Sequence, residues 1–397
     1  MNPQAVVVAC GFMNDKHTSH SQDLESDGAV GQDPEAGVQI LRGTCHVYFA
    51  YDIGLSVRLE EAERRIAAVS QRKKLQPKRR VPQYFEYDPP PIWFTRTTGS
   101  LEVAGHIVSP QVDLMVCEFG AVSVNYKIPL CGPLTNLRVL ADEIYDNPEL
   151  LADSRRSVDE LLAAIAPAVS KPSISELVED YAIYQIEEMA AGRNAEHVVA
   201  DEGQLLAQIL RAESSVLSSQ EVGDSLACRI SFGECDLTIV DWNAALLFDT
   251  DADDVRAVLE YANIELLEMR WLDDQLDLAL EESHDTLMRK TWHRGLLLGT
   301  RGAELRRIAE MQMDSALLFE GVNNALKLLG DQYLARVYRS ASQRLHLNDW
   351  DTGVHRKLRI LESIYEKIAD HHANLRAEVL EWIIIILIAI SILLGFH

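Results

Sequence analysis

Residues 113–128 read DLMVCEFGAVSVNYKI, two β-rich runs parted by Gly120 as the strands of a hairpin are parted by their turn. Working outward, IWFT at 92–95 and EVAGHIV at 102–108 add short runs of the same kind, so 92–130 is expected to form a small antiparallel sheet. Upstream, HVYFAYDI at 46–53 reads as a strand, and 55–69 as a helix with Val57, Ala62, Ile66 and Val69 near one face. Downstream, 134–145, 158–169 and 203–217 carry helical patterns. DYAIYQIEEM at 180–189, CRISF at 228–232 and DLTIVDW at 236–242 read as strands. Strands cluster and helices follow without strict alternation, which predicts an α+β head domain over 45–249. Residues 14–36 hold almost nothing apolar, so 1–44 is expected to be a disordered lead-in.

A chain of 397 residues predicts two or three structural units, and 47% hydrophobic residues supply ample core. With 37 Lys and Arg against 61 Asp and Glu, the net charge of −24 opposes broad binding to phosphate backbones or anionic lipid. The cysteines at 10, 45, 117, 131, 228 and 235 form no CxxC pair and no finger spacing, so no zinc site, redox motif or cofactor is expected. The apolar stretch at 5–13 is preceded by no basic residue, and the first cation is Lys16; neither a secretory signal nor a transit peptide is expected. The bulk of the chain is assigned to a reducing cytoplasm.

Beyond 249 the pattern changes. Val255, Val258, Ala262, Glu265, Met269, Leu272, Leu276 and Ala279 recur at spacings of three and four, the seam of a helix packed on other helices, with one glutamate interrupting it. A second helical stretch runs over 301–345, and a third begins after Asn348 and Asp349, plausible caps. Together they predict a long-helix hairpin or bundle, a stalk over 250–378, and coiled-coil packing that favours a homo-oligomer.

The end of the chain, WIIIILIAISILLGF at 382–396, carries no charge and keeps no polar face. A C-terminal transmembrane helix over 379–397 is therefore expected, a tail anchor formed by Trp382, Ile383, Ile384, Ile385, Ile386, Leu387, Ile388, Ile390, Ile392, Leu393, Leu394 and Phe396. Fifteen residues rise only about 22 Å against a hydrocarbon core of about 30 Å, so the competing reading is a helix buried in an oligomer core.

LEYANIELLEMRWLDDQLD at 259–277, preceded by DLTIVDWNAALLFD at 236–249 and followed by LEWIIIILIAI at 380–390, resembles the YagE-type proteins, which include the "required for meiotic nuclear division" proteins. The likeness runs from about 45 onward and is strongest at 236–277 and at the tail. It implies a domain of unknown function with a C-terminal membrane helix, and relatives that support organellar translation at a membrane. It carries over no catalytic residue.

Several motifs compete with plainer readings. Asp249, Asp251, Asp253 and Glu260 fall at calcium-loop positions, but Asp254 stands where the loop needs glycine, and these acids equally serve as a helix N-terminal cluster. Residues 241–285 hold fourteen acids and two bases, Arg256 and Arg270, which reads first as a solvated helix face. Arg72, Lys73, Lys74, Lys78, Arg79 and Arg80 form a candidate loop for an anionic partner, either RNA, a ribosomal surface or lipid headgroups. Gly299, Arg301 and Gly302 only mimic a phosphate loop, and His371 and His372 point about 100° apart on a helix. Magnesium channels share the outline of a cytoplasmic head and terminal span, which leaves an oligomeric ion-conducting protein as a remote alternative. No GxSxG, Walker or HExxH motif is present. The sequence therefore predicts a non-catalytic, membrane-tethered scaffold or adaptor with an unknown protein partner. The alternative is an enzyme with an unrecognised acidic, metal-dependent site.

Overall fold

Strand β1 (Gln39–Asp52) is buried at every position from 45 to 52, which requires cover on both faces of its sheet. The computed structural model describes residues 37–70, 75–77, 90–190, 194–234, 236–288 and 332–395, with isolated positions 309, 313 and 316. Among these, nine strands form one sheet in the order β11 (Arg229–Ile230), β12 (Leu237–Val240), β13 (Ala244–Phe248), β10 (Val178–Met189), β1, β8 (Ala121–Pro133), β7 (Gln111–Val116), β4 (Ile92–Thr97) and β3 (Leu75–Pro77). Two small ribbons pair β2 (Ser56–Val57) with β9 (Val169–Ser170), and β5 (Glu102–Val103) with β6 (His106–Ile107). The large sheet is antiparallel except where β10 meets β13, with Ala182 facing Ala244 and Ile186 facing Phe248. The small antiparallel sheet expected at 92–130 is thus one flank of a larger mixed sheet.

Alternation sorts the side chains of β1 to two cores. Cys45, Val47, Phe49 and Tyr51 face a layer built from α1 (Leu59–Ser70), α2 (Asn136–Ile144), α3 (Pro148–Ile165), α4 (Ala195–Arg211) and α5 (Ser219–Ser225). The caps that start these helices are written locally. Asn147 accepts from the amides of Glu149 and Leu150 ahead of Pro148, Asn194 accepts from Glu196, and Ser218 from Glu221.

Tyr48 and Ala50 face the other way. There α6 (Asp253–Met288) lies across the sheet, and α7 (Gln332–Arg344) packs beside it. Val255, Val258, Leu259 and Ala262 of α6 share a core with Tyr181, Ile183 and Leu247, while Ile264 and Leu267 meet Ala50, Met115 and Cys117. Only from Met269 onward does α6 pack mainly on another helix, with Leu272, Leu276 and Ala279 against Val354 and Leu361 of α8 (Leu347–Gly395). The expected stalk is therefore corrected: the first turns of α6, with α7, are the second layer of the head. The physical reason is that Tyr48, Ile183 and Leu247 leave the sheet's second face apolar, and among the described residues these helices cover it.

The expected C-terminal transmembrane helix is overturned. Among the described residues no helix is long and apolar enough to cross a membrane. Glu378 and Glu381 bound the uncharged end of α8, and the run that follows rises about 22 Å, short of the roughly 30 Å core. Trp382, Ile384, Ile385, Ile386, Leu387 and Ile388 are exposed on that helix. Ile383, Ile390, Ile392, Leu393 and Leu394 belong to the same helix, and Phe396 lies outside the described residues. The tail-anchor assignment of all twelve residues is withdrawn.

At the β7–β8 turn, Gly120 holds φ at +101°, and a Cβ there would sit 1.7 Å from the Gly54 carbonyl oxygen. The same turn accepts the Ile53 amide at 3.0 Å. Gly120→Ala is expected to destabilise the fold by more than about 1 kcal/mol, read from chemical denaturation; equal stability of the two proteins would refute this account of the turn.

Candidate functional site

Asp241, in the turn between β12 and β13, is fully buried, and a carboxylate taken out of water must be matched by cations. Two arginines meet it from opposite layers. Arg211, the last residue of α4, places Nε 3.0 Å from Asp241 Oδ2 and Nη2 2.7 Å from Asp224 Oδ2, and its Nη1 also pairs with Glu221. Arg344, the last residue of α7, sets Nη1 3.1 Å from Asp224 Oδ2 and Nε 3.6 Å from Asp241 Oδ1. Burial pushes the Asp241 carboxyl up while the Trp242 amide and both arginines pull it back. Asp224 is held below the usual carboxylate range by its bonds to Arg344 and Arg211.

These ion pairs form one wall of a cleft of about 960 Å³. Tyr145 and Asp146 at the end of α2, Glu179 and Asp180 at the start of β10, and Trp242 and Asn243 in the β12–β13 turn also line it. Asn263, Leu266 and Arg270 of α6 and the α7–α8 junction with His346 and Trp350 complete it. Two of the lining residues, Asp146 (φ +52°) and His346 (φ +55°), hold left-handed backbone that non-glycine residues seldom adopt.

Glu179 pairs with Arg270, yet burial outweighs that pairing and pushes its carboxyl up to about 7. Asp180 is raised by burial and then by the charge of Asp146. Asn263, 1% exposed, donates from Nδ2 to the Glu179 carbonyl at 3.3 Å, and its Oδ1 has no partner. Cys228 also lines the cleft, but its thiol faces the Ser340 carbonyl at 4.0 Å and His346 Nδ1 engages Asp349 at 3.1 Å, so no nucleophile is hydrogen-bonded to a base here.

A second polar cluster lies between α6 and the sheet. Glu260, Glu265 and Glu268 are buried on α6, which corrects the expected solvated acidic face over this stretch. Tyr338 donates to Glu265 at 2.7 Å, and burial carries that carboxyl to about 7. Neither oxygen of Glu268 has a hydrogen-bond partner. Burial, then the charge of Asp52, raises Glu268, and burial also raises Asp52. The two acids titrate as one coupled pair.

The sequence candidates are dispersed. Asp249 accepts the Asp251 amide at 2.9 Å, Asp253 pairs with Arg256, and Glu260 is buried about two turns further along α6; among the described residues no group of three or more His, Cys, Asp or Glu is placed to hold a metal. Arg72, Lys73, Lys74, Lys78, Arg79 and Arg80 lie outside the described residues, as do Gly299, Arg301 and Gly302; the side chains of His371 and His372 are likewise not described. Sequence reading missed Arg211, Arg344, Trp242 and Asn263. Only Asn263, a lone amide inside EYANIELLEM, left a trace that could have been followed.

Fold and cleft together define a mixed-sheet domain, layered on both faces by helices, with a polar cleft at the sheet's end. The chain belongs to the family of the uncharacterized protein MJ0711 by its N-terminal domain, whose family model matches residues 42–254. Uncharacterized protein MJ0711 of Methanocaldococcus jannaschii is 23% identical over 239 residues, covering 60% of this chain and 72% of the relative. No solved structure matches the chain. The match reaches the first turn of α6, so it includes the sheet and the cleft residues from Tyr145 to Asn243. The resemblance to YagE-type proteins plays no part in this assignment.

Carboxyls raised in the fold bind more protons than they do unfolded, so stability falls as pH rises between their unfolded and folded pKa values. For Glu179 and Glu265 that window runs from about 4.5 to about 7, and Asp52 and Glu268 act in the same direction. The thermal midpoint is expected to drop from pH 5 to pH 8. Glu268→Gln is expected to flatten that slope and to raise the midpoint at pH 8; a slope identical to wild type would remove the buried-pair assignment.

Proposed function

We propose that this protein is a non-catalytic adaptor that recognises a ligand in the cleft between its two helical layers. The observation that carries this reading is the state of the cleft's arginines. Arg211, Arg270 and Arg344 are each engaged by the protein's own acids, so they shape the walls rather than act on a substrate, and what remains open is acceptor groups and aromatic faces. Clefts of this size hold drug-sized molecules. Trp242, 47% exposed, can be changed without disturbing the core. A thermal-shift screen of small molecules is expected to yield ligands that stabilise the wild type and quench its tryptophan fluorescence, with both effects lost in Trp242→Ala. Stabilisation that survives in this variant would place recognition elsewhere.

The adaptor reading includes self-association. Trp382 and Ile384 to Ile388 present apolar side chains through more than a full helical turn, and a helix apolar all round needs cover. A second copy of α8 would supply it through the same seam. Sedimentation velocity is expected to show an oligomer for the wild type and a monomer for the double variant Ile384→Lys, Ile388→Lys; a monomeric wild type would end this part of the proposal.

A further inference from the structure

We propose that a protonated contact between Asp52 and Glu268 holds the middle of α6 on the sheet, and that loss of its protons lifts this part of the helix away. Asp52 ends β1 opposite Ala121 of β8 and is 3% exposed. Alternation along β1 turns it to the side of Ala50 and Tyr48, where α6 lies. Glu268, 1% exposed, follows Ile264 by one turn of α6, and there Ile264 and Leu267 pack on Ala50, Met115, Cys117 and Ala121. One acid from the sheet and one from the helix therefore share an apolar layer.

The surroundings supply no counter-charge. Among the described residues no cation acts on either acid: burial and then the charge of Asp52 raise Glu268, and burial raises Asp52 against one amide bond from Gly54. Neither oxygen of Glu268 meets a hydrogen-bond donor. Arg270, two residues further along α6, is taken by Glu179 of β10, and Lys357 of α8 by Asp273 and Asp277. Glu260 stands two turns earlier on α6, Cys117 feels the charges of Glu260 and Glu268, and Glu265 accepts from Tyr338 of α7. Lys171, Glu176 and the turn residue Glu118 are exposed. Two carboxylates in this layer would thus repel with nothing between them. The contact is whole below about pH 7, where Asp52 takes its proton, and is lost above it.

Position makes the contact a point of local release. Glu268 is the last residue before Met269, where α6 passes from the sheet to α8, and Phe119 of the β7–β8 turn packs against the cores on both sides of that junction. Opening here uncovers Cys117 and leaves the other face of the sheet closed.

Two buried thiols report on the two faces: Cys117 lies under α6, and Cys45 under the layer of α1 to α5. The full chain is labelled with iodoacetamide at pH 6 and pH 8.5, and peptide mass spectrometry reads each cysteine. Each rate is divided by that of the same cysteine in the urea-unfolded chain, which removes the pH dependence of the thiol itself. Cys117 is expected to label at least tenfold faster at pH 8.5 on this scale, with Cys45 unchanged. The acceleration is expected to vanish in Glu268→Gln and in Asp52→Asn, and to persist in Glu265→Gln, where the sensing pair is intact. Equal acceleration of both cysteines would show global unfolding and overturn the proposal. So would a Cys117 rate that ignores pH, one that still rises in Glu268→Gln, or one that loses its rise only in Glu265→Gln.

Discussion

The buried carboxylate of Asp241 holds the two halves of the molecule to one sheet. It sits in a strand turn, and its guanidinium partners come from the end of α4 on one face and the end of α7 on the other. Charge in a low-dielectric interior leaves little freedom, because an unmatched carboxylate there would cost on the order of several kcal/mol. Helices α4 and α7 are thereby fixed in register at their last residues. The two arginines that reach into that turn also line the cleft.

The same logic explains why acids recur in places where composition alone would put them in water. On α6 the seam positions bury Val258, Ala262 and Leu272, and the intervening turns carry Glu265 and Glu268 inward with them. Asp52 comes from the far end of β1 and is also raised in pKa by burial. A helix of thirty-six residues laid on a sheet turns several faces through the interior in succession, so no single stripe records what is buried.

Much of the fold was legible in the chain. AVSVNYKI alternates because one side of β8 meets the layer of α1 to α5, whereas the helix expected at 158–169 begins at Pro148, where Asn147 caps it by local hydrogen bonding. Strand β13 was passed over, since Ala244 to Phe248 is buried at every position and so shows no alternation. The stalk was misread because a seam on one helix does not say whether a helix or a sheet lies opposite. Isoleucines at the end of α8 gave a strong composition signal and a weak length signal, and length decided. The cleft was not readable at all: Asp146, Asp180, Arg211, Asn263 and Arg344 are distant in sequence and acquire a common role only through the sheet's topology.

Central strand β1 finds its neighbours late. Tyr48 faces Asn125 of β8 and Tyr181 of β10, so a nascent chain presents the central strand long before either flank exists. At about 5–20 residues per second, the interval between the emergence of Asp241 and that of Arg344 is on the order of ten seconds. Through that interval the buried turn lacks its second arginine, and α6 is the described helix that covers the sheet's second face. The order of synthesis therefore leaves the sheet's buried turn waiting for α7, the helix that brings the second arginine, until most of the chain has been made.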